Sequence, residues 1–191
     1  MIKDKITPEL KKRFRQEINN SKKDGKEHGF LLCSDKKEKL YATTSIVGEE
    51  DNLFFKPLKN QCKSKIQGEF HTHPRAMTAK KFFDNQLGRD LPIEEVRNGL
   101  IDAVKKRNIS LTEPSYGDIL GTMILNHKNE MLGTTCIGTD IYPEKIECWS
   151  TKDHINKIDY DKAVEDLNSP ATISNPLKWV RPLFNRETIN I

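Results

Sequence analysis

The sequence predicts an α/β fold. Short apolar runs of strand length, such as Phe30-Leu31-Leu32-Cys33, alternate along the chain with longer segments whose apolar residues share one helical face. Turn and cap signals fall between the two kinds of segment. With 191 residues the chain is long enough to bury most of its unfolded surface in one domain with an appendage, without a disulfide staple.

Thr7-Pro8-Glu9-Leu10 opens a helix with a capping threonine and a proline in the first turn. Leu10, Phe14 and Ile18 then give one apolar stripe to about Asn20, and the polar, glycine-containing 21–26 ends it. Residues 27–33 read as a buried strand headed by Glu27, and 39–47 as its hairpin partner. Further strands fit 52–55 and the run 65–70. Residues 75–90 are polar and read as irregular. Leu91-Pro92 opens a helix to about Arg107, with Ile93, Val96, Leu100 and Val104 on one face. Ser115 reads as the start of a helix, 131–137 and 145–149 as strands, and 155–167 as a polar helix. Residues 169–191 carry three prolines and the apolar cluster Leu177, Trp179, Val180, Leu183 and Phe184. They read as a C-terminal extension that packs back on a domain spanning 1–168, or docks a partner. No internal repeat or low-complexity segment is visible.

Composition narrows the classes. Hydrophobic residues are 35% and charged residues 31%, and the mean hydropathy is −0.71, so the surface is very polar. The apolar runs are nonetheless too regular for a disordered chain. The net charge of +4 is mild, and the signs alternate in Ser34-Asp35-Lys36-Lys37-Glu38-Lys39, which suits a solvated turn. Nucleic acid is therefore not the expected partner. No signal peptide and no apolar run near the length of a membrane span is present, so a cytoplasmic, non-membrane protein is expected. Cys33, Cys62, Cys136 and Cys148 form no Cys-x-x-Cys pair and read as reduced thiols, with Cys33 and Cys136 as small core residues.

The strongest chemical signal is Glu69-Phe70-His71-Thr72-His73-Pro74. Side chains two apart on a strand share a face, so His71 and His73 would point the same way with Cα atoms roughly 7 Å apart. That spacing lets two imidazoles reach one metal ion at about 2.0–2.1 Å. Pro74 has no N–H for a central ladder, which places the pair at the strand's end. Alone, the pattern equally fits two half-exposed strand histidines. A catalytic zinc takes three protein ligands and a water.

A third ligand is available in Ser115-Tyr116-Gly117-Asp118. Ser-x-x-Asp occurs also at Ser21/Asp24 and Ser150/Asp153, and its default meaning is a helix capping box. Residues three apart on a helix share a face, so Ser115 and Asp118 can both cap and point into a site. The middle copy follows the histidines and precedes an apolar helix.

In this order of elements the chain resembles the MPN-domain, or JAMM, zinc metallopeptidases. Their signature is a glutamate heading a strand, then His-x-His-Pro, then Ser-x-x-Asp. Here it reads Glu27, His71-Thr72-His73-Pro74 and Ser115-Tyr116-Gly117-Asp118, and the resemblance covers roughly residues 7–150. It implies a curved mixed sheet flanked by helices, a cytidine-deaminase-like architecture. It implies one zinc per chain on His71, His73 and Asp118, with a water in the fourth position. Glu27 would be the general base, handing its proton to the leaving amine, and Ser115 would bond the oxyanion. The implied substrate is the C-terminus of a ubiquitin-like protein, in a conjugate or precursor.

The chain departs from that pattern in one respect. Residues 74–114 separate His73 from Ser115, 41 positions where the family usually has about seven, a difference worth on the order of 1.6 kcal/mol of loop-closure entropy. A folded helical insertion at about 75–113 is thus tolerable, and is expected to form a lid or partner-binding wall. It also brings Asp84 and Asp90 as rival ligands. The insertion and the 169–191 tail are candidate docking places for a partner protein. Two other readings stand beside the peptidase: a non-catalytic MPN scaffold that binds a partner, and another His-x-His metal hydrolase such as a phosphoesterase. The remaining histidines, His28, His127 and His154, form no bridging pattern for the latter.

Overall fold

A computed structural model describes residues 2–48, 55–107, 113–168 and 177–191. Among them a mixed, open seven-stranded sheet runs in the order β2 (Leu40–Ala42), β1 (His28–Ser34), β4 (Lys65–His73), β5 (Thr134–Thr139), β6 (Lys145–Thr151), β7 (Phe184–Asn190), with β3 (Ile46–Val47) also pairing β1, and helices cover both faces. The α/β class expected from the sequence is therefore present.

Helix α1 (Pro8–Asp24) forms where the cap signals place it: the Thr7 hydroxyl accepts the Leu10 amide at 3.2 Å, and Pro8 occupies the first turn. Gly25, at φ +70°, closes the helix in the left-handed region that favours glycine, and turns the chain toward Glu27. The α1 stripe of Leu10, Phe14 and Ile18 is buried against strand β1 (His28–Ser34) and strand β4 (Lys65–His73). Phe14, Phe30 and Phe70 interlock, with ring centroids 4.8–5.5 Å apart. Gly138 of β5 (Thr134–Thr139) lies directly under this helix, where an added Cβ would stand 2.6 Å from Ile18 Cδ1.

The expected strand 39–47 is two short strands, β2 (Leu40–Ala42) and β3 (Ile46–Val47). The Thr43 hydroxyl takes the Leu31 amide at 3.0 Å, a side-chain bond where a ladder bond would run. Of the expected strand 52–55, residues 52–54 lie outside the described residues, and Phe55 leads into a 3₁₀ turn at Lys56–Gln61.

Strand β4 pairs antiparallel with β1 and parallel with β5. The chain between the parallel pair carries three helices: α2 (Arg75–Leu87), α3 (Ile93–Arg107) and α4 (Tyr116–His127). Helix α2 corrects the irregular reading of 75–90. Its only buried residue is Ala76, so it has no apolar stripe to betray it. Tertiary contacts supply its start instead: the Asp140 carboxylate accepts the Ala76 amide, and Gly88 at φ +60° ends it.

On the face opposite α1, α4 and α5 (Lys157–Asn168) pack on Trp149 of β6 (Lys145–Thr151). The short helix α6 (Leu177–Val180) brings Val180 into this cluster, and β7 (Phe184–Asn190) pairs along β6 from Thr151↔Phe184 to Lys145↔Asn190. The tail thus packs back as the edge strand. The reduced-thiol reading of the cysteines is also corrected: Cys33 is disulfide-bonded to Cys62, and Cys136 to Cys148. Cys136 and Cys148 are directly opposite in the β5–β6 register, a proximity that sequence spacing does not reveal. No described helix is long and apolar enough to cross a membrane.

Candidate metal centre

Strand alternation builds the first half of the site. Phe70 and Thr72 face α1, where Phe70 joins the core and the Thr72 hydroxyl accepts the His28 amide at 2.9 Å. Glu69, His71 and His73 lie on the other face, all buried. Glu69 Oε2 accepts from His71 Nδ1 at 2.9 Å, while Glu69 Oε1 accepts the hydroxyl of Thr135, its register neighbour on β5. This fixes the His71 ring with Nε2 turned outward. A carboxylate behind a histidine is the arrangement that orients metal-ligating imidazoles.

Helix α4 supplies the second half. Ser115 caps it, its Oγ accepting the Asp118 amide at 3.2 Å while Asp118 Oδ2 accepts the Ser115 amide at 2.6 Å. The capping box therefore exists, and the same Asp118 reaches both histidines. His71 Nε2 is 3.1 Å from His73 Nε2 and 3.3 Å from Asp118 Oδ1; His73 Nε2 is 3.5 Å from Asp118 Oδ2. Four donors at about 2.0–2.1 Å around a tetrahedral zinc are separated by about 3.3–3.4 Å, so these spacings fit one ion. Among the described residues this trio is the one group of three or more ligand side chains that could hold a metal. Asp84 and Asp90 are instead bound to Lys80, at 3.0 and 2.8 Å.

The electrostatics are those of a crowded donor set. Burial opposes charge on His71, yet the Glu69 and Asp118 carboxylates overcome it and raise its pKa well above 6.5. Burial lowers His73 to about 4, and its bond to Asp118 only partly offsets this. Burial would raise Asp118, but His71 and His73 hold it far below the ordinary carboxylate range. Together the three residues keep one proton's charge between two imidazoles, where a cation would replace it.

Glu27 stands at the head of β1, buried, with Oε1 3.8 Å from His73 Nε2. It shares with His71, His73, Ser115 and Asp118 a cleft of about 410 Å³. Leu31, Phe55, Ile66, Leu125 and Met131 supply the apolar part of the cleft wall, the Phe55 ring centroid lying 6.4 Å from that of His71. The insertion contributes Arg75 and Thr78 of α2.

All five residues singled out in the sequence meet in this cleft. Sequence reasoning missed four that support it. Glu69 was legible in principle, because it precedes His71 by two on the same strand face. Thr135, Asp140 and Arg75 carried no such mark; they reach the site through strand register, a helix N-terminus and the unpredicted α2. His28, by contrast, is turned away toward Asp24, at 2.8 Å, and His127 and His154 stack on each other elsewhere. Comparison with protein families, with curated proteins and with solved structures finds no match for this chain.

Proposed function

We propose that the chain is a zinc-dependent peptidase or isopeptidase of the MPN/JAMM type. Its substrate would be the C-terminus of a ubiquitin-like protein, in a conjugate or precursor. One observation carries the reading: donor atoms from β4 and from the start of α4 converge at metal-ligand spacing, with Glu27 and Ser115 in the same cleft. The mixed sheet with helices on both faces is compatible with the curved, helix-flanked sheet that an MPN/JAMM domain would have.

His71, His73 and Asp118 would hold the ion. Zinc there would lower the pKa of a water to roughly 7 and polarise the scissile carbonyl. Glu27, buried beside His73, would accept the proton of the attacking water and pass it to the leaving amine nitrogen. Such acid–base work is worth about 10²–10⁴-fold. The Ser115 Oγ accepts the Asp118 amide through a lone pair, which leaves its own hydrogen to donate to a developing oxyanion. The α4 N-terminus favours the same negative charge. Glu69 and Thr135 would keep His71 in one tautomer throughout.

The test is zinc per chain, by elemental analysis, together with hydrolysis of C-terminal fusions of ubiquitin-like proteins. About one zinc in the wild type, depletion in Asp118→Ala, and cleavage abolished by Glu27→Gln with zinc retained are expected. A folded wild type that takes up no zinc would sink the enzyme reading and favour the scaffold. Zinc uptake with hydrolysis of a model phosphodiester and of no amide would favour a phosphoesterase.

A further inference from the structure

Among the described residues two cationic side chains line the cleft, Lys59 and Arg75, and they are not equivalent. Lys59 is ion-paired with Glu130. Arg75, two residues beyond His73, has a buried Nε with no hydrogen-bond partner, and its guanidinium enters no ion pair among the described residues. A structural counter-ion would sit on a carboxylate, and three are at hand. Asp140, however, is taken by the Ala76 amide and lies 3.7 Å from Arg97. Glu27 and Asp118 are turned to the histidines, and with Asp140 they act on the Arg75 charge without forming an ion pair to it among the described residues. Buried polar groups without partners are rare enough to require a reason. The planar arginine fork matches a carboxylate in two-point geometry, which a compact ammonium does not.

We propose that Arg75 is an anion subsite beside the metal centre, reading a carboxylate that the substrate carries next to the scissile bond. The inference rests on the peptidase reading above and narrows its substrate class. Among the described residues that line the cleft, a divalent cation on the three ligands together with Lys59 and Arg75 would balance the four carboxylates Glu27, Glu69, Asp118 and Glu130. An anionic group of the substrate therefore meets no net repulsion there. The carboxylate has two sources, the free α-carboxylate of a C-terminal leaving residue or an acidic side chain. Either excludes a neutral glycine-only flank as the preferred partner on that side.

The probes are N-acetyl-Gly-Gly-Leu as free acid, the same peptide as its C-terminal amide, and N-acetyl-Gly-Gly-Asp-amide. Calorimetry gives their affinities for the zinc-treated full chain carrying Glu27→Gln, which prevents turnover, and for the same chain with Arg75→Gln or Arg75→Lys added. One anionic probe should bind at least about tenfold tighter than the neutral amide, and Arg75→Gln should reduce that preference to below about threefold. Whichever anion wins identifies the source of the carboxylate. Arg75→Lys keeps the charge without the fork and should fall between. If Arg75→Gln does not fold, as judged by circular dichroism, an unchanged preference in Arg75→Lys overturns the proposal on its own. Equal binding of acid and amide, a preference that survives Arg75→Gln, or no binding of any probe also overturns it. Zinc content, measured on the same samples, separates the two readings. An Arg75-dependent preference without zinc keeps the anion subsite and removes the peptidase. Zinc uptake without that preference does the reverse.

Discussion

Replacing Glu69 by glutamine isolates what the residue behind a ligand contributes. The substitution preserves shape. A glutamine oxygen can still accept from His71 Nδ1, and its amide can donate to the Thr135 hydroxyl, so both positions now filled at Glu69 keep a bond. What is lost is a buried negative charge 2.9 Å from the imidazole, at a residue only 8% exposed. Partners of this kind typically contribute about 10–100-fold in metal affinity, or about 1.4–2.7 kcal/mol. Two effects oppose each other, because the same carboxylate also stabilises the imidazolium that a metal must displace. Removing it weakens the ligand and at the same time weakens proton competition. The loss of zinc affinity in Glu69→Gln should therefore be smallest near pH 6 and approach its full size at alkaline pH, where no proton competes. Competition against a chromogenic chelator at several pH values measures this. A variant within twofold of wild type at alkaline pH would refute the assignment of His71 as a ligand oriented by Glu69.

Zinc uptake at pH 6, below the pKa of about 7 that a zinc-bound water would have, should release about one proton, from His71, whose pKa lies well above 6.5, and almost none from His73, lowered to about 4; calorimetry in buffers of different ionisation enthalpy counts it, and no buffer dependence would contradict the charge assignment. In the chelator-stripped protein the signs are opposite: the raised His71 stabilises the fold below pH 6.5 and that contribution is lost as pH rises through its pKa, whereas the lowered His73 stabilises above pH 6.5 and is lost as pH falls toward 4. Thermal melts of the stripped protein should accordingly weaken on the acid side between those values. Ser115→Ala should cost about 1 kcal/mol through the lost cap on α4 and about 10²–10³-fold in turnover, with zinc content retained; loss of stability without loss of rate would leave Ser115 a cap only. Both disulfides should resist alkylation in the native, non-reduced protein, and by the chain-entropy relation the Cys33–Cys62 bridge should contribute about 4 kcal/mol and the Cys136–Cys148 bridge about 3 kcal/mol; full alkylation without reductant would contradict the pairing.

The sequence by itself determined the elements whose signals are local. The Thr7 cap with the Leu10–Phe14–Ile18 stripe, the apolar run after Glu27, and the helix from Ser115 all appear where periodicity and capping place them. Strand alternation put His71 and His73 on one face and helical spacing put Ser115 and Asp118 on another, while Glu27 and the grouping of all five came from the resemblance of the ordered motifs to a known family. Tertiary structure alone decided that these two sets face one another. Helix α2 formed on a polar segment because Asp140, far along the chain, satisfies its first turn. Cys136 and Cys148 met because antiparallel register sets them opposite. The tail became a strand because β6 would otherwise present an unpaired edge. Arg75 lines the cleft only because α2 begins there. Each of these depends on the partner a backbone or side-chain group finds across the fold. Local periodicity carries no information about that partner; the close packing of strands and helices supplies it.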